Sequence, residues 1–135
     1  MSPITIPENC AGGCCTVCVA GPDITVTGWG ANNLGLLPIN LRQVQKGIYD
    51  HTECIGSWLA SVWRLEITPQ MFCTVVENGR DSCNGDSGGP VVRSGVQVGV
   101  VSFGSEDCGD GSLPAVYVRI EALLVRDWIR TVSGI

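Results

Sequence analysis

The sequence predicts an all-β domain of six strands, about one small barrel, with two helices set into the pattern. Three observations carry this. Eighteen glycines are scattered between short runs of strand-forming residues, as expected where strands alternate with tight turns that need positive φ. The runs number six: Ile24 to Trp29, Leu41 to Ile48, Phe72 to Val76, Pro90 to Arg93, Val96 to Phe103 and Ala115 to Ile120. The 135 residues are 44% hydrophobic and 16% charged, with a mean hydropathy of +0.25. Such a chain can bury one modest core, and one domain or part of one is the bound.

Within the strand at Val96 to Phe103, the valines become nearly continuous after the first alternation. That suits a central strand buried on both faces at its end. The first helix follows Asp50, whose oxygen can cap the start while Glu53 stands three residues later. This arrangement satisfies otherwise unpaired N–H groups and predicts a short helix near residues 51 to 60. At the end of the chain Ile120, Leu123, Leu124 and Trp128 recur at three- and four-residue spacing. They predict a C-terminal amphipathic helix packed through that stripe, with Arg119, Arg126 and Arg130 outside it.

Eight basic residues against thirteen acidic ones give a net charge of −5. This disfavours nonspecific attraction to nucleic acid or anionic lipid, so neither is expected as a partner. Eight cysteines and a near absence of lysine favour an oxidising, disulfide-forming compartment. Yet Met1 to Pro7 carry no basic n-region and no apolar h-region, so no signal peptide is visible. No stretch of about 18 apolar residues exists to span a bilayer. Export chemistry without an export address leads us to expect that an N-terminal part is missing.

Residues 79 to 90 carry the chemistry: Gly79-Arg80-Asp81-Ser82-Cys83-Asn84-Gly85-Asp86-Ser87-Gly88-Gly89-Pro90. A serine stands in a glycine-lined bend. Without Cβ atoms at 85, 88 and 89, backbone N–H groups can turn toward one small concavity. Such a concavity can hold a developing oxyanion, and losing one donor of an oxyanion hole costs roughly 3 to 4 kcal/mol of transition-state stabilisation.

The Gly85-Asp86-Ser87-Gly88-Gly89-Pro90 segment resembles the nucleophile motif of the trypsin/chymotrypsin family of serine endopeptidases, without a departure. Val26-Thr27-Gly28-Trp29-Gly30 is similar to the strand and turn that begin that family's second barrel. Val100-Val101-Ser102-Phe103-Gly104 resembles the strand that pairs with substrate, and Pro114-Ala115-Val116-Tyr117-Val118 the strand behind the specificity pocket. Val125-Arg126-Asp127-Trp128-Ile129 is similar to the closing helix. The resemblance runs from about Ile4 to Ile135 in the family's order. It implies a six-stranded antiparallel Greek-key barrel over 21–135, the second half of a double barrel and hence an incomplete domain, after an atypical cysteine-rich segment over 1–20.

What the resemblance implies about the site follows residue by residue. Ser87 is the expected nucleophile, and the N–H groups of Gly85 and Ser87 the expected oxyanion hole. Asp86 is the carboxylate that pairs with an α-ammonium freed on activation, and being buried it needs that partner or a substitute. Asp81 is the carboxylate at the bottom of the specificity pocket, where charge pairing selects Arg or Lys. Ser102, Phe103, Gly104 and Ala115 line the substrate groove and pocket. Two departures stand out: Ala115 replaces the usual glycine and Phe103 the usual tryptophan. Overfilling a tight site costs on the order of 1 to 3 kcal/mol, so efficiency is expected to fall while charge preference survives.

Cys54 with Cys73 and Cys83 with Cys108 fall where the family places disulfides. A further bridge common in the family is absent, because Arg93 and Ile24 occupy its positions. Cys10, Cys14, Cys15 and Cys18 have no counterpart; local disulfides, bridges to a missing segment, a wrongly joined stretch and a zinc site all stand open. No cofactor and no assigned metal is called for.

A serine hydroxyl needs a base, which in this family is a histidine oriented by an aspartate, both from the first barrel. The single histidine, His51, opens the first predicted helix and is not expected to be that base; Asp23 is likewise misplaced as its orienter. No Ile-Val-Gly-Gly type sequence is present to supply the α-ammonium. Loss of the base alone costs about a millionfold in kcat. The expectation is therefore the C-terminal half of a secreted endopeptidase acting on peptides with Arg or Lys, nearly inert alone and completed by a first-barrel chain or segment. A noncatalytic module that binds basic side chains is the alternative, with a metal-binding role for the N-terminal cysteines a third reading.

Overall fold

The computed structural model describes residues 4–8, 16–17, 23–32, 35–77, 79, 81–105 and 107–135. Six strands, β1 (Asp23–Gly28), β2 (Arg42–Tyr49), β3 (Met71–Thr74), β4 (Pro90–Arg93), β5 (Val96–Phe103) and β6 (Val116–Arg119), form one antiparallel closed barrel. Around the ring the order is β1-β2-β3-β6-β5-β4, and the Thr25↔Val92 and Val26↔Val91 pairs between β1 and β4 close it. Closure removes both sheet edges, so every strand has a neighbour on each side. The expected all-β barrel is present. β4 and β5 keep their expected bounds, while β1 stops before Trp29, β2 starts after Leu41, and β3 and β6 are shorter than expected.

Alternation places Ile24 and Val26 of β1 and Ile48 of β2 inside, where they meet Phe72, Val91, Val98, Val101 and Tyr117. The Phe72 and Tyr117 rings stack with centroids 5.3 Å apart. Gly99 makes room for them: a Cβ there would lie 2.6 Å from Phe72 Cε1. A second apolar layer lies under α1 (His51–Ala60), where Trp58 and Cys54 pack on Ile67, Cys73 and Val116. The Cys54–Cys73 disulfide joins α1 to β3. At the start of α1, the Asp50 carboxylate accepts from Glu53 N–H at 2.9 Å, as the sequence predicts.

α2 (Leu123–Ser133) is where the structure corrects the sequence reading. Leu124 and Trp128 of the expected buried stripe are 68% and 65% exposed, and Leu123 is also exposed, whereas Arg126 is buried. The physical reason is the chain's N-terminal segment. Arg126 Nε donates to the Pro7 carbonyl and Nη2 to the Ile135 carbonyl, each at 2.6 Å. Arg130 pairs with Glu8 at 2.6 Å. The side of α2 that meets its own chain is thus polar, with Arg126 Nε and Nη2 hydrogen-bonded to backbone carbonyls, and the apolar side faces outward. Glu121, also buried, accepts from Thr16 N–H at 3.0 Å and from its hydroxyl at 2.6 Å. Cys10, Cys14, Cys15 and Cys18 lie outside the described residues.

Candidate active site

The loop from β3 to β4 is pinned on three sides. Gly88 N–H donates to the Val101 carbonyl and Val101 N–H to the Gly89 carbonyl, both at 2.9 Å, laying the loop's end on β5. Ala31 N–H donates to the Asn84 carbonyl at 2.8 Å, tying it to the turn after β1. The Cys83–Cys108 disulfide fixes its other flank. Gly85 and Gly88 take φ of 97° and 85°, a region open to glycine and strained for other residues. Between them Ser87 is exposed, and its hydroxyl donates to the Ser102 carbonyl of β5 at 3.5 Å.

Asp86 points the opposite way, into the protein. Its Oδ1 accepts from Gly30 N–H and its Oδ2 from Cys83 N–H, each at 2.8 Å. Cβ atoms on Gly28 and Gly30 would fall 2.0 Å and 2.5 Å from this carboxylate. The glycines of the turn after β1 are therefore the notch that receives it, a role the sequence reading did not assign. Two backbone N–H groups supply hydrogen bonds to this half-buried carboxylate.

Asp81 lies nearby. One oxygen accepts from Ser82 N–H at 2.8 Å and from Lys46 Nζ at 3.2 Å. The other faces Gly104 and Ala115: a Cβ built on Gly104 would stand 3.9 Å from Asp81 Oδ2 and 3.8 Å from Ala115 Cβ. The fold thus brings Asp81, Gly104 and Ala115 together from three separate segments. Behind them Thr74 Oγ1 donates to the buried Tyr117 hydroxyl at 3.5 Å, and Trp58 Nε1 donates to the Pro114 carbonyl at 3.1 Å. Burial pushes the Tyr117 hydroxyl up to about 12, with Thr74 and Ser82 opposing through hydrogen bonds. Phe103 packs edge-on against Trp58 at 5.2 Å, which fixes the end of β5 against α1. A cleft of about 420 Å³ opens on the other side, between β1, β2 and the loop, lined by Gly28, Gly30, Val44, Asp81, Ser82 and Asp86. Gly104 and Ala115 do not line it.

His51 sits half-buried at the head of α1. Its burial and the positive charge of Arg119 lower its pKa below 6.5, with Asp50 opposing. Lys46 was not foreseen as part of the site. The signal was present in the period-2 pattern of β2, which puts a lysine on the same inward register as Ile48. Among the described residues no group of three or more His, Cys, Asp or Glu side chains is placed to hold a metal ion. No helix among them is long and apolar enough to cross a membrane.

Comparison with known proteins matches this arrangement of strands and motifs. The family model described as Trypsin matches residues 2–129. Kallikrein-12 of Homo sapiens is 36% identical over 135 residues, covering 98% of this chain and 49% of the relative. Chymotrypsin-2 of Vespa crabro is 39% identical over 113 residues, 82% of this chain and 47% of its own. The solved structure of neuropsin, a serine protease expressed in the limbic system of mouse brain, superposes with a TM-score of 0.78 at 30% identity. That match covers 96% of this chain and 53% of neuropsin. The chain spans about half the length of the curated relatives it matches. With the Gly85-to-Pro90 segment set on a closed six-stranded antiparallel barrel and these matches over nearly its whole length, the chain belongs to the trypsin family of serine proteases.

Proposed function

We propose that this chain is the nucleophile-bearing half of a secreted serine endopeptidase. Ser87 attacks the scissile carbonyl, and the Gly85 and Ser87 N–H groups receive the oxyanion as the tetrahedral adduct forms. The residue before the cleaved bond enters the space bounded by Asp81, Gly104 and Ala115, and a carboxylate there favours arginine or lysine. The observation that carries the reading is Ser87, exposed on a bend whose two flanking glycines have positive φ and whose far side is locked by Asp86.

The serine hydroxyl still needs a proton acceptor. The only histidine, His51, sits at α1 under the influence of Asp50 and Arg119. The acceptor and its orienting carboxylate come from a first-barrel polypeptide, which covers the outward apolar side of α2 at Leu124, Trp128 and Val132. Asp86 is the activation-linked carboxylate, held meanwhile by Gly30 and Cys83 N–H. A fluorophosphonate probe tests this. The chain alone is expected to label weakly, and to label at Ser87 once a first-barrel polypeptide carrying histidine and aspartate is added, with Ser87→Ala abolishing the signal. Unchanged labelling in Ser87→Ala would remove the nucleophile assignment.

The competing reading is a noncatalytic module that binds basic side chains, favoured by the place of His51 at the head of α1, where its charged neighbours are Arg119 and Asp50. It predicts benzamidine binding with no labelling under either condition.

A further inference from the structure

The chain's single lysine is built into the barrel beside the pocket carboxylate. Lys46 stands on β2 opposite Ile24 of β1, and its side chain is 1% exposed. Its ammonium is 3.2 Å from Asp81 Oδ1, and the Asp81 side chain is itself 7% exposed. The same oxygen takes the Ser82 N–H, so one side of the carboxylate is committed to the protein's own donors. The second oxygen is the one that faces Gly104 and Ala115.

We propose that Lys46 is a specificity-determining residue, a resident counter-ion of Asp81 that flattens the pocket's preference for basic over neutral side chains. The inference rests on reading Asp81 as the floor of the pocket. A buried carboxylate is costly until paired, and here the pairing is complete before any substrate arrives. An incoming ammonium or guanidinium meets a neutralised pair. It gains attraction to Asp81 and repulsion from Lys46 in the same water-poor space, and the two largely cancel. Lys46 cannot retreat into solvent to relieve this, because its backbone is fixed in the ladder between β1 and β3 and its head lies inside the barrel. A neutral side chain that hydrogen-bonds to the free Oδ2 meets no such repulsion. Selectivity is a difference of affinities, and Lys46 subtracts from the affinity for cations alone.

The test compares benzamidine with its neutral near-isostere benzamide, each titrated calorimetrically into the whole folded chain. The expected wild-type preference for benzamidine is below about tenfold, and Lys46→Met is expected to raise it by at least about tenfold by removing the like charge. A wild-type preference of about tenfold or more would overturn the role of Lys46 and leave the Asp81 pocket standing. So would a folded Lys46→Met protein, checked by circular dichroism, whose preference equals the wild-type value. Where Lys46→Met fails to fold, the wild-type ratio decides. Should neither ligand bind either protein, the pocket reading itself has failed, and the assignment of Lys46 falls with it.

Discussion

Asp86 Oδ1 accepts a hydrogen bond from Gly30 N–H at 2.8 Å, inside a notch that exists because residues 28 and 30 carry no side chain. The contact couples the turn after β1 to the residue preceding the candidate nucleophile. A methyl group at position 30 would stand 2.5 Å from the carboxylate, closer than any real Cβ contact. Gly30→Ala and Gly28→Ala are each expected to lower stability by about 1–3 kcal/mol, as overpacking at a tight site does. Urea unfolding measures this, and a neutral result for both would mean that the notch is not filled by Asp86. Gly56→Ala supplies the contrast: nothing lies within 4 Å of its Cβ position on α1. It is expected to raise stability by about 0.5–1 kcal/mol through helix propensity.

The two sides of α2 should respond oppositely to substitution. Arg126→Ala leaves the Pro7 and Ile135 carbonyls without their donors, and its expected cost is about 2–3 kcal/mol. Leu124→Ser and Val132→Ser, on the exposed side, should each change stability by less than about 0.5 kcal/mol. They should instead reduce self-association, since contiguous exposed apolar surface promotes it. Sedimentation velocity of the chain alone reads this. A monodisperse wild-type monomer at high concentration would show that α2's outer side needs no cover.

The single histidine makes acid dependence simple to follow. His51 is held below 6.5 in the folded chain by burial first and by Arg119 second. The unfolded chain therefore takes up a proton near pH 6.5 while the folded chain resists, and the unfolded state binds more protons between the two values. The stability contributed by neutral His51 is thus complete above pH 6.5 and declines as pH falls through the folded value. The imidazole NMR titration should have its midpoint below 6.5, and His51→Gln should flatten the drop in thermal midpoint between about pH 7 and pH 5. A midpoint at or above 6.5 would contradict the buried environment.

The Cys54–Cys73 bridge closes a separation of 19 residues between α1 and β3. Replacing both cysteines by alanine is expected to cost roughly 3 kcal/mol in the chain-entropy view of such loops. Denaturant midpoints of the double variant and of wild type, compared under non-reducing conditions, check the figure. An equal midpoint would place the stabilisation of α1 in the packing of Trp58 and not in the bridge.

Much of this fold was legible because its signals are local. β4 and β5 announce themselves through valine-rich runs bounded by turn residues, and α1 through the Asp50 cap. The order of motifs pointed to the barrel and to Ser87, Asp86 and Asp81. The inward side of α2 was not legible. Helical periodicity ranks side chains by apolarity, and an arginine is given the solvent side by default. Here two backbone carbonyls, one of them 119 positions away in sequence, give Arg126 a buried place.

The sequence by itself determined the strand succession, the Asp50 cap of α1, and a serine bracketed by glycines, since each depends on neighbours within a few residues. Only the tertiary structure decided which groups answer the buried and half-buried charges. Asp86 found the Gly30 and Cys83 N–H groups, Arg126 found Pro7 and Ile135, and Lys46 found Asp81 across 35 positions. The physical reason is that a charge withdrawn from water must be matched within about 3 Å. Partners at that range are chosen by how the barrel closes and not by their distance along the chain.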